Sequence, residues 1–263
     1  MDFETIIFEK DGTIAKIKLN RPQRLNALNW AMLNELGMVI EEVRKDDSCR
    51  VLVITGVGRA FCPGGDIKEL QDHFDLSQIN RRKALSIFHK KIIVALREIE
   101  KPVIASINGD AIGAGCGIAM ACDVRISCEQ ARFGFPFLKM GVVSDMGCSY
   151  FLPRLVGFGK AMELFLTADL IDSLAAEKIG LINKVVAHEK LEYETINLAN
   201  KFMKMPPLAI AFIKDSLNKS LNMDLITQLE KEVDKQVICY KSEDHREGVR
   251  AFLEKRVPNF IGR

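Results

Sequence analysis

The chain has 263 residues, 48% of them hydrophobic and 27% charged, with a net charge of +2. That balance excludes collagenous, disordered and nucleic-acid-coating chains, and the length suits one domain with a helical appendage. The seven cysteines are odd in number and lack CxxC pairs, which points to reduced thiols in a cytosol-like, cytoplasmic setting.

The N-terminus, MDFETIIFEKDG, places acids where a signal peptide needs a basic region, and no apolar run reaches the roughly 18 residues of a membrane span. A soluble, unprocessed protein is expected. Residues 3–9 and 13–19 read as two strands around a tight Asp11-Gly12 turn. Asn29 caps a predicted helix running to about Arg44, and VLVIT (51–55) follows as a strand buried on both faces. The next helix places Leu85, Phe88, Ile92, Leu96 and Ile99 on one face before Pro102 stops it. VIASI (103–107), a small-residue helix near 114–121 and VRIS (124–127) continue the alternation, which marks an α/β core extending to about residue 190. From Glu189 onward strand signals vanish, and Pro206-Pro207 and Asp224 divide a helical tail. No Ser/Gly linker separates tail from core, so the tail is expected to pack on the core or on another subunit.

Two glycine-rich stretches, GVGRAFCPGGDIKEL (56–70) and NGDAIGAGCGIAMACD (108–123), each follow a buried strand and lead into a helix. Glycine lets main chain approach a ligand closely, and the first turn of a helix leaves N–H groups without internal partners. Such donors suit an anion. A dinucleotide fingerprint starting at Gly113 fails at Ile118, and no P-loop, GxSxG elbow or HExxH motif occurs. The four histidines, at 73, 89, 188 and 245, are scattered in sequence, so no metal site is expected.

The stretches NRPQRLNAL (20–28), GRAFCPGGDIKEL (58–70), IASINGDAIGAGCGIAMACD (104–123), ARFGFPFLKMGVVSDMG (131–147) and YFLPRLVG (150–157) resemble, in order and spacing, the crotonase or enoyl-CoA hydratase/isomerase superfamily. The resemblance covers nearly the whole chain. It implies a crotonase-type spiral of ββα units over residues 1–190, carrying acyl-CoA binding and catalysis, and a helical trimerisation region over 191–263. A homotrimer or a hexamer is implied, with no nucleic acid or membrane as partner. Coenzyme A enters as part of the thioester substrate, and no metal or redox cofactor is called for.

By motif, the two backbone donors of an oxyanion hole fall on Gly65 and Ala114. Fixed donors facing an enolate oxygen in a dry site lower the barrier by roughly 3–4 kcal/mol each. The resemblance places coenzyme A along Cys62, Gly64, Gly65, Asp66 and Ile67, with Arg24 near its phosphates. Where hydratases of the family carry their two glutamates, this chain has Gly117 and Phe137. Asp145 is the acid left, at a place where isomerases and one dehalogenase branch carry a carboxylate.

A single carboxylate can take a proton at one carbon and return it at another while the oxyanion hole holds the dienolate. The resemblance therefore points to an enoyl-CoA isomerase, shifting a double bond or rearranging an epoxyphenylacetyl-CoA-type substrate. Asp145 can alternatively cap the next helix or occupy a surface turn. Phe133, Phe135, Phe137, Leu138, Val142 and Val143 are candidates to desolvate it, the phenylalanines being either core residues or lining for an acyl pocket, and Tyr150 is a candidate donor. Other readings are a hydratase pairing Asp145 with an acid not located in the sequence, and a noncatalytic acyl-CoA-binding protein. A further one, Asp145 as a nucleophile on an aryl-CoA, needs a nearby histidine, and His89 lies too far before Pro102 to match that branch's position.

Overall fold

A computed structural model describes residues 3–72 and 77–263; His73 lies outside the described residues. The strands in chain order are β1 (Ile6–Asp11), β2 (Ile14–Leu19), β3 (Val51–Gly56), β4 (Ala60–Cys62), β5 (Val103–Ile107), β6 (Asp110–Ile112), β7 (Val124–Cys128), β8 (Arg132–Gly134), β9 (Ile171–Asp172) and β10 (Lys184–Val186). The opening hairpin forms as expected, but Asp11 pairs with Ile14, so the turn residues are Gly12 and Thr13. Gly12 takes φ +57, which glycine adopts at little cost.

From β2 onward the main sheet is parallel, in the order β1-β2-β3-β5-β7-β10, and the smaller sheet runs β4-β6-β8-β9. Parallel strands need covering on both faces, which is why VLVIT and VIASI are continuous apolar runs. Helix Trp30–Lys45, capped by Asn29 accepting from the Met32 N–H at 2.9 Å, buries Met32, Leu36, Val39, Ile40 and Val43. Helix Leu191–Met203 covers the other face, where Ala199 packs with Ile14, Val51, Val53 and Ile104. Its Thr195 hydroxyl meets the Ser106 hydroxyl at 2.9 Å.

The helix before β5 departs from a uniform α-helix. Gln78–Phe88 is α, His89–Val94 is a π-helix and Ala95–Glu98 is α again. Phe88, Ile92, Leu96 and Ile99 are buried as expected, but Leu85 is 39% exposed. After β10 the chain is helical: Leu191–Met203, Pro207–Ser220, Leu225–Lys241 and Glu243–Glu254. Helix Pro207–Ser220 is fastened to the core by Lys214, whose buried ammonium donates to the Asp123 carboxylate (2.8 Å), the Leu96 carbonyl (3.1 Å) and the Lys101 carbonyl (3.0 Å).

Candidate active site

The two glycine-rich turns converge at the ends of β4 and β6. In the first, Leu28 donates to the Gly64 carbonyl (2.8 Å) and accepts from the Asp66 N–H (2.8 Å), forming a one-residue parallel bridge. Extended backbone alternates the direction of its polar groups, so the Gly65 N–H between them points to the opposite side. In the second, Gly113 adopts φ +53 and ψ −119, a conformation that side chains resist, and donates to the Gly134 carbonyl at 2.8 Å. The N–H of Ala114, first residue of helix Ala114–Ala121, is left without an intrahelical acceptor. A methyl group on Gly64 would stand 3.6 Å from the Ala114 nitrogen, so the two turns touch.

Asp145 approaches from a third segment. It begins a turn, Asp145-Met146-Gly147, that enters helix Cys148–Val156 with Met146 at φ +47 and Gly147 at φ +76. For methionine that left-handed conformation costs about 1–2 kcal/mol, so surrounding packing must hold it. A side chain on Gly117 would strike the Met146 carbonyl at 2.5 Å and the Met146 Cβ at 2.7 Å, and one on Gly147 would strike Phe151 at 2.7 Å and Ile93 at 3.3 Å. The Cys148 thiol donates to the Gly113 carbonyl at 3.4 Å, tying this turn to the second glycine-rich turn.

Asp145 does not cap the helix: Gly147 occupies the N-cap and no side chain bonds there. Its Oδ1 is buried and has no hydrogen-bond partner. Burial pushes the carboxyl above its ordinary pKa, against a smaller opposing pull from His89. The surroundings follow the sequence reading for two phenylalanines, as core, and depart from it for the aliphatic residues. Phe133 and Phe135 are core, 1% and 0% exposed, each worth roughly 1.5–3 kcal/mol of burial. Leu138, Val142 and Val143 face solvent, with Val143 84% exposed, and do little to exclude water. Phe137 alone is half-buried at the site, its Cζ 3.7 Å from where a methyl on Gly113 would stand.

The fold also corrects the reading of His89. Although distant in sequence, it acts electrostatically on Asp145 from the first position of the π-helix, and its Nε2 is likewise buried and unpartnered. Tyr150 is otherwise engaged: its hydroxyl accepts from Asn222 at 3.1 Å and Arg154 lies 3.7 Å over its ring. Among the described residues no group of His, Cys, Asp and Glu is arranged to hold a metal ion, and no helix is long and apolar enough to cross a membrane.

The family model for enoyl-CoA hydratase/isomerase matches residues 9–263. The chain belongs to that family. It is 38% identical over 257 residues to the short-chain-enoyl-CoA hydratase of Clostridium acetobutylicum, covering 97% of each chain. It is 34% identical over 260 residues to the 1,2-epoxyphenylacetyl-CoA isomerase of Escherichia coli, covering 99% of each. The crystal structure of a putative enoyl-CoA hydratase from Streptomyces coelicolor A3(2) superposes with a TM-score of 0.95 at 33% identity, over 100% of this chain and 96% of that one. The fold is thus the crotonase type, and the protein is an enzyme of the enoyl-CoA hydratase/isomerase family.

Among the other positions singled out for this enoyl-CoA hydratase/isomerase chain, Arg24 is exposed and Ile67 is 57% exposed. The Cys62 thiol is fully buried, and burial pushes it up to about 12, so it packs rather than reacts. Burial also pushes the Asp66 carboxyl up, but the Arg21 guanidinium at 2.8 Å and local N–H groups outweigh it and leave the pKa lowered. Arg21 and Asn26 were not assigned roles from sequence. Asn26, fully buried with φ +65, accepts from the Arg21 N–H (2.9 Å) and donates to the Val57 (3.0 Å) and Ala60 (2.7 Å) carbonyls. These bonds lock NRPQRLNAL against the Gly65 turn. The available signal was an Asn between Leu25 and Ala27 in a Pro-containing loop, a residue type that tolerates left-handed backbone.

Proposed function

We propose that this enzyme isomerises an enoyl-CoA thioester, with Asp145 as the single acid and base and with Gly65 and Ala114 as the oxyanion donors. The observation that carries the reading is the occluded, unpartnered Asp145 Oδ1 on a strained turn bonded to the Ala114 turn. Carboxylates at the two other positions are absent: Gly117 has its side-chain space filled by Met146 and Cys148, and Phe137 presents a ring. Asp145 removes a proton from the carbon chain beside the thioester and returns it two bonds away, while the N–H groups of Gly65 and Ala114 hold the negative oxygen. Desolvation raises the basicity of the carboxylate, which suits removal of a weakly acidic carbon-bound proton. Coenzyme A lies along residues 62–67, with main chain at Cys62, Gly64, Gly65, Asp66 and Ile67 as the contact and Arg24 at the phosphates.

The substrate is a double-bond isomer or an epoxyphenylacetyl-CoA-type thioester, and Phe137 beside the oxyanion turn favours a bulky acyl group over a short straight one. With a 3-enoyl-CoA, wild-type enzyme is expected to give product of unchanged mass, and Asp145→Asn to lose 10²–10⁴-fold in turnover. Isomerisation retained by Asp145→Asn removes that residue from the reaction. Residues 1–190 then carry catalysis, and the exposed apolar residues of Leu225–Lys241 and Glu243–Glu254 serve self-association as a trimer or hexamer.

A further inference from the structure

A planar trans peptide points its carbonyl and its N–H in opposite directions, so whatever holds the carbonyl aims the N–H. The N–H of Ala114 shares its peptide with the Gly113 carbonyl, and two donors hold that carbonyl. One is the Gly117 N–H, at 3.1 Å within the same helix; the other is the Cys148 thiol, at 3.4 Å from a different element. Gly113 itself fixes little, because a residue without Cβ turns its peptide at small cost and this one already sits at φ +53 and ψ −119. The thiol is well placed to fix what glycine leaves free. Cys148 is fully buried at the first position of helix Cys148–Val156, and its own N–H donates to the Asp145 carbonyl at 2.9 Å. One residue thus bonds both to the segment that carries the acid and to the peptide that carries the donor. Burial, with smaller contributions from Cys116 and Asp145, pushes the thiol well above its ordinary pKa, so it keeps its proton and stays a donor. By contrast, the equally buried Cys122 thiol, at the other end of helix Ala114–Ala121, donates to the Ile118 carbonyl of its own helix at 3.3 Å.

The geometry points to Cys148 as a positioning residue, whose thiol holds the Gly113–Ala114 peptide so that the Ala114 N–H meets the negative oxygen of the thioester. This inference rests on the reading of Ala114 as an oxyanion donor, and it does not depend on which acid moves the proton. Cys148 touches no reacting atom and acts through the peptide in two ways. Its bond opposes rotation of that peptide, which keeps the N–H aimed before the substrate arrives. A second donor on the Gly113 carbonyl also draws charge across the amide, so the N–H on the other side becomes a stronger donor. Donors aimed in advance count most where the oxygen carries most charge, so the thiol acts on turnover more than on binding. Because the same residue bonds the Asp145 carbonyl, it also sets the spacing between the two halves of the site.

The test compares wild type, Cys148→Ala, Cys148→Ser and Cys122→Ala by two readouts, with melting curves alongside. The first is turnover of a 3-enoyl-CoA. The second is the infrared carbonyl band of bound butyryl-CoA labelled with carbon-13 at the thioester carbon, a saturated ester with no double bond to move; hydrogen bonds to its oxygen lower the band. Cys148→Ala is expected to lose roughly tenfold in kcat with KM within about threefold, a fraction of the roughly 10²–10³-fold that follows loss of an oxyanion donor, and its band is expected to move back toward that of the free ester. Cys148→Ser keeps a donor and is expected to restore the band and bring kcat to within about threefold of wild type. Cys122→Ala is expected to match wild type in both. An unchanged band in Cys148→Ala overturns the inference, whatever happens to turnover. Equal losses in Cys148→Ala and Cys148→Ser, with lowered melting temperatures, also overturn it, because that pattern marks a residue that only fills space. A wild type that shifts the band, with the shift lost in Cys148→Ala and kept in Cys148→Ser, but that isomerises no 3-enoyl-CoA upholds the role of the thiol and removes the isomerase reading alone.

Discussion

Burying the Asp145 carboxyl weakens the fold once it is ionised, and pH exposes that cost. Its native pKa lies above the unfolded value, so the folded state binds this proton more tightly than the unfolded chain does. Its contribution to stability is therefore full below the unfolded pKa, about 4, and is lost as pH rises through the native value. Asp145→Asn removes an unsatisfied charge, and near neutral pH it is expected to melt above wild type, the gap closing as pH falls toward about 4. Melting curves across that range check it; superposable curves at every pH would mean that the carboxyl is solvated. The stray acid was legible in the sequence because nothing else in FGFPFLKMGVVSDMG carries a charge except Lys139. Its true surroundings were not. Adjacent Val142 and Val143 turned outward, whereas His89 arrived from a distant element. Proximity along the chain says little about burial where the backbone reverses twice, as it does at Met146 and Gly147.

Helix Ala114–Ala121 and the Asp145 turn form one packed unit. Gly117 is where that unit has no slack, since an added methyl would meet the Met146 carbonyl at 2.5 Å. Gly117→Ala is expected to cost roughly 1–3 kcal/mol, because the turn must move to admit it. Calorimetry should show a drop of about 2–4 °C per kcal/mol, with the proposed isomerase activity falling further than the fraction folded. Gly159→Ala is the control, as a methyl there meets nothing within 4 Å. Strands β3, β5 and β7 were readable from apolar runs because parallel strands buried on both faces leave that pattern. The π-helix was not readable. Phe88, Ile92 and Leu96 follow one another at four-residue spacing, which fits an α-helical face and gives no sign of the wider turn between them.

At the scale of the molecule, the C-terminal helices are anchored at one end and apolar at the other. Lys214 and Asp123, with Arg97 at 3.8 Å, hold helix Pro207–Ser220 to the core through a largely buried ion pair. Beyond it Leu225, Ile226, Leu229, Val233, Val237, Phe252 and Leu253 are all exposed in the single chain. Apolar area on that scale is hard to keep in water, so sedimentation is expected to give a mass of three or six copies. Val233→Glu together with Val237→Glu is expected to shift the mass toward one copy, and a monomeric wild type at micromolar concentration would contradict this. The helical tail itself was legible from the loss of strand signals after Glu189. That helix Leu191–Met203 lies across β3 and β5 was not, because its periodicity says that one side is buried without saying against what.

The crowding between Gly117 and Met146 bears on how such chains change chemistry. Space for an acid on the helix and space for the Asp145 turn are the same space, so no chain with this backbone holds both. A glutamate at 117 alone would displace the turn, and loss of Asp145 alone would remove the acid proposed for the site. The two arrangements are separated by at least two substitutions whose effects are strongly non-additive. A lineage crossing between them by single steps passes through a form that is less stable, less active or both.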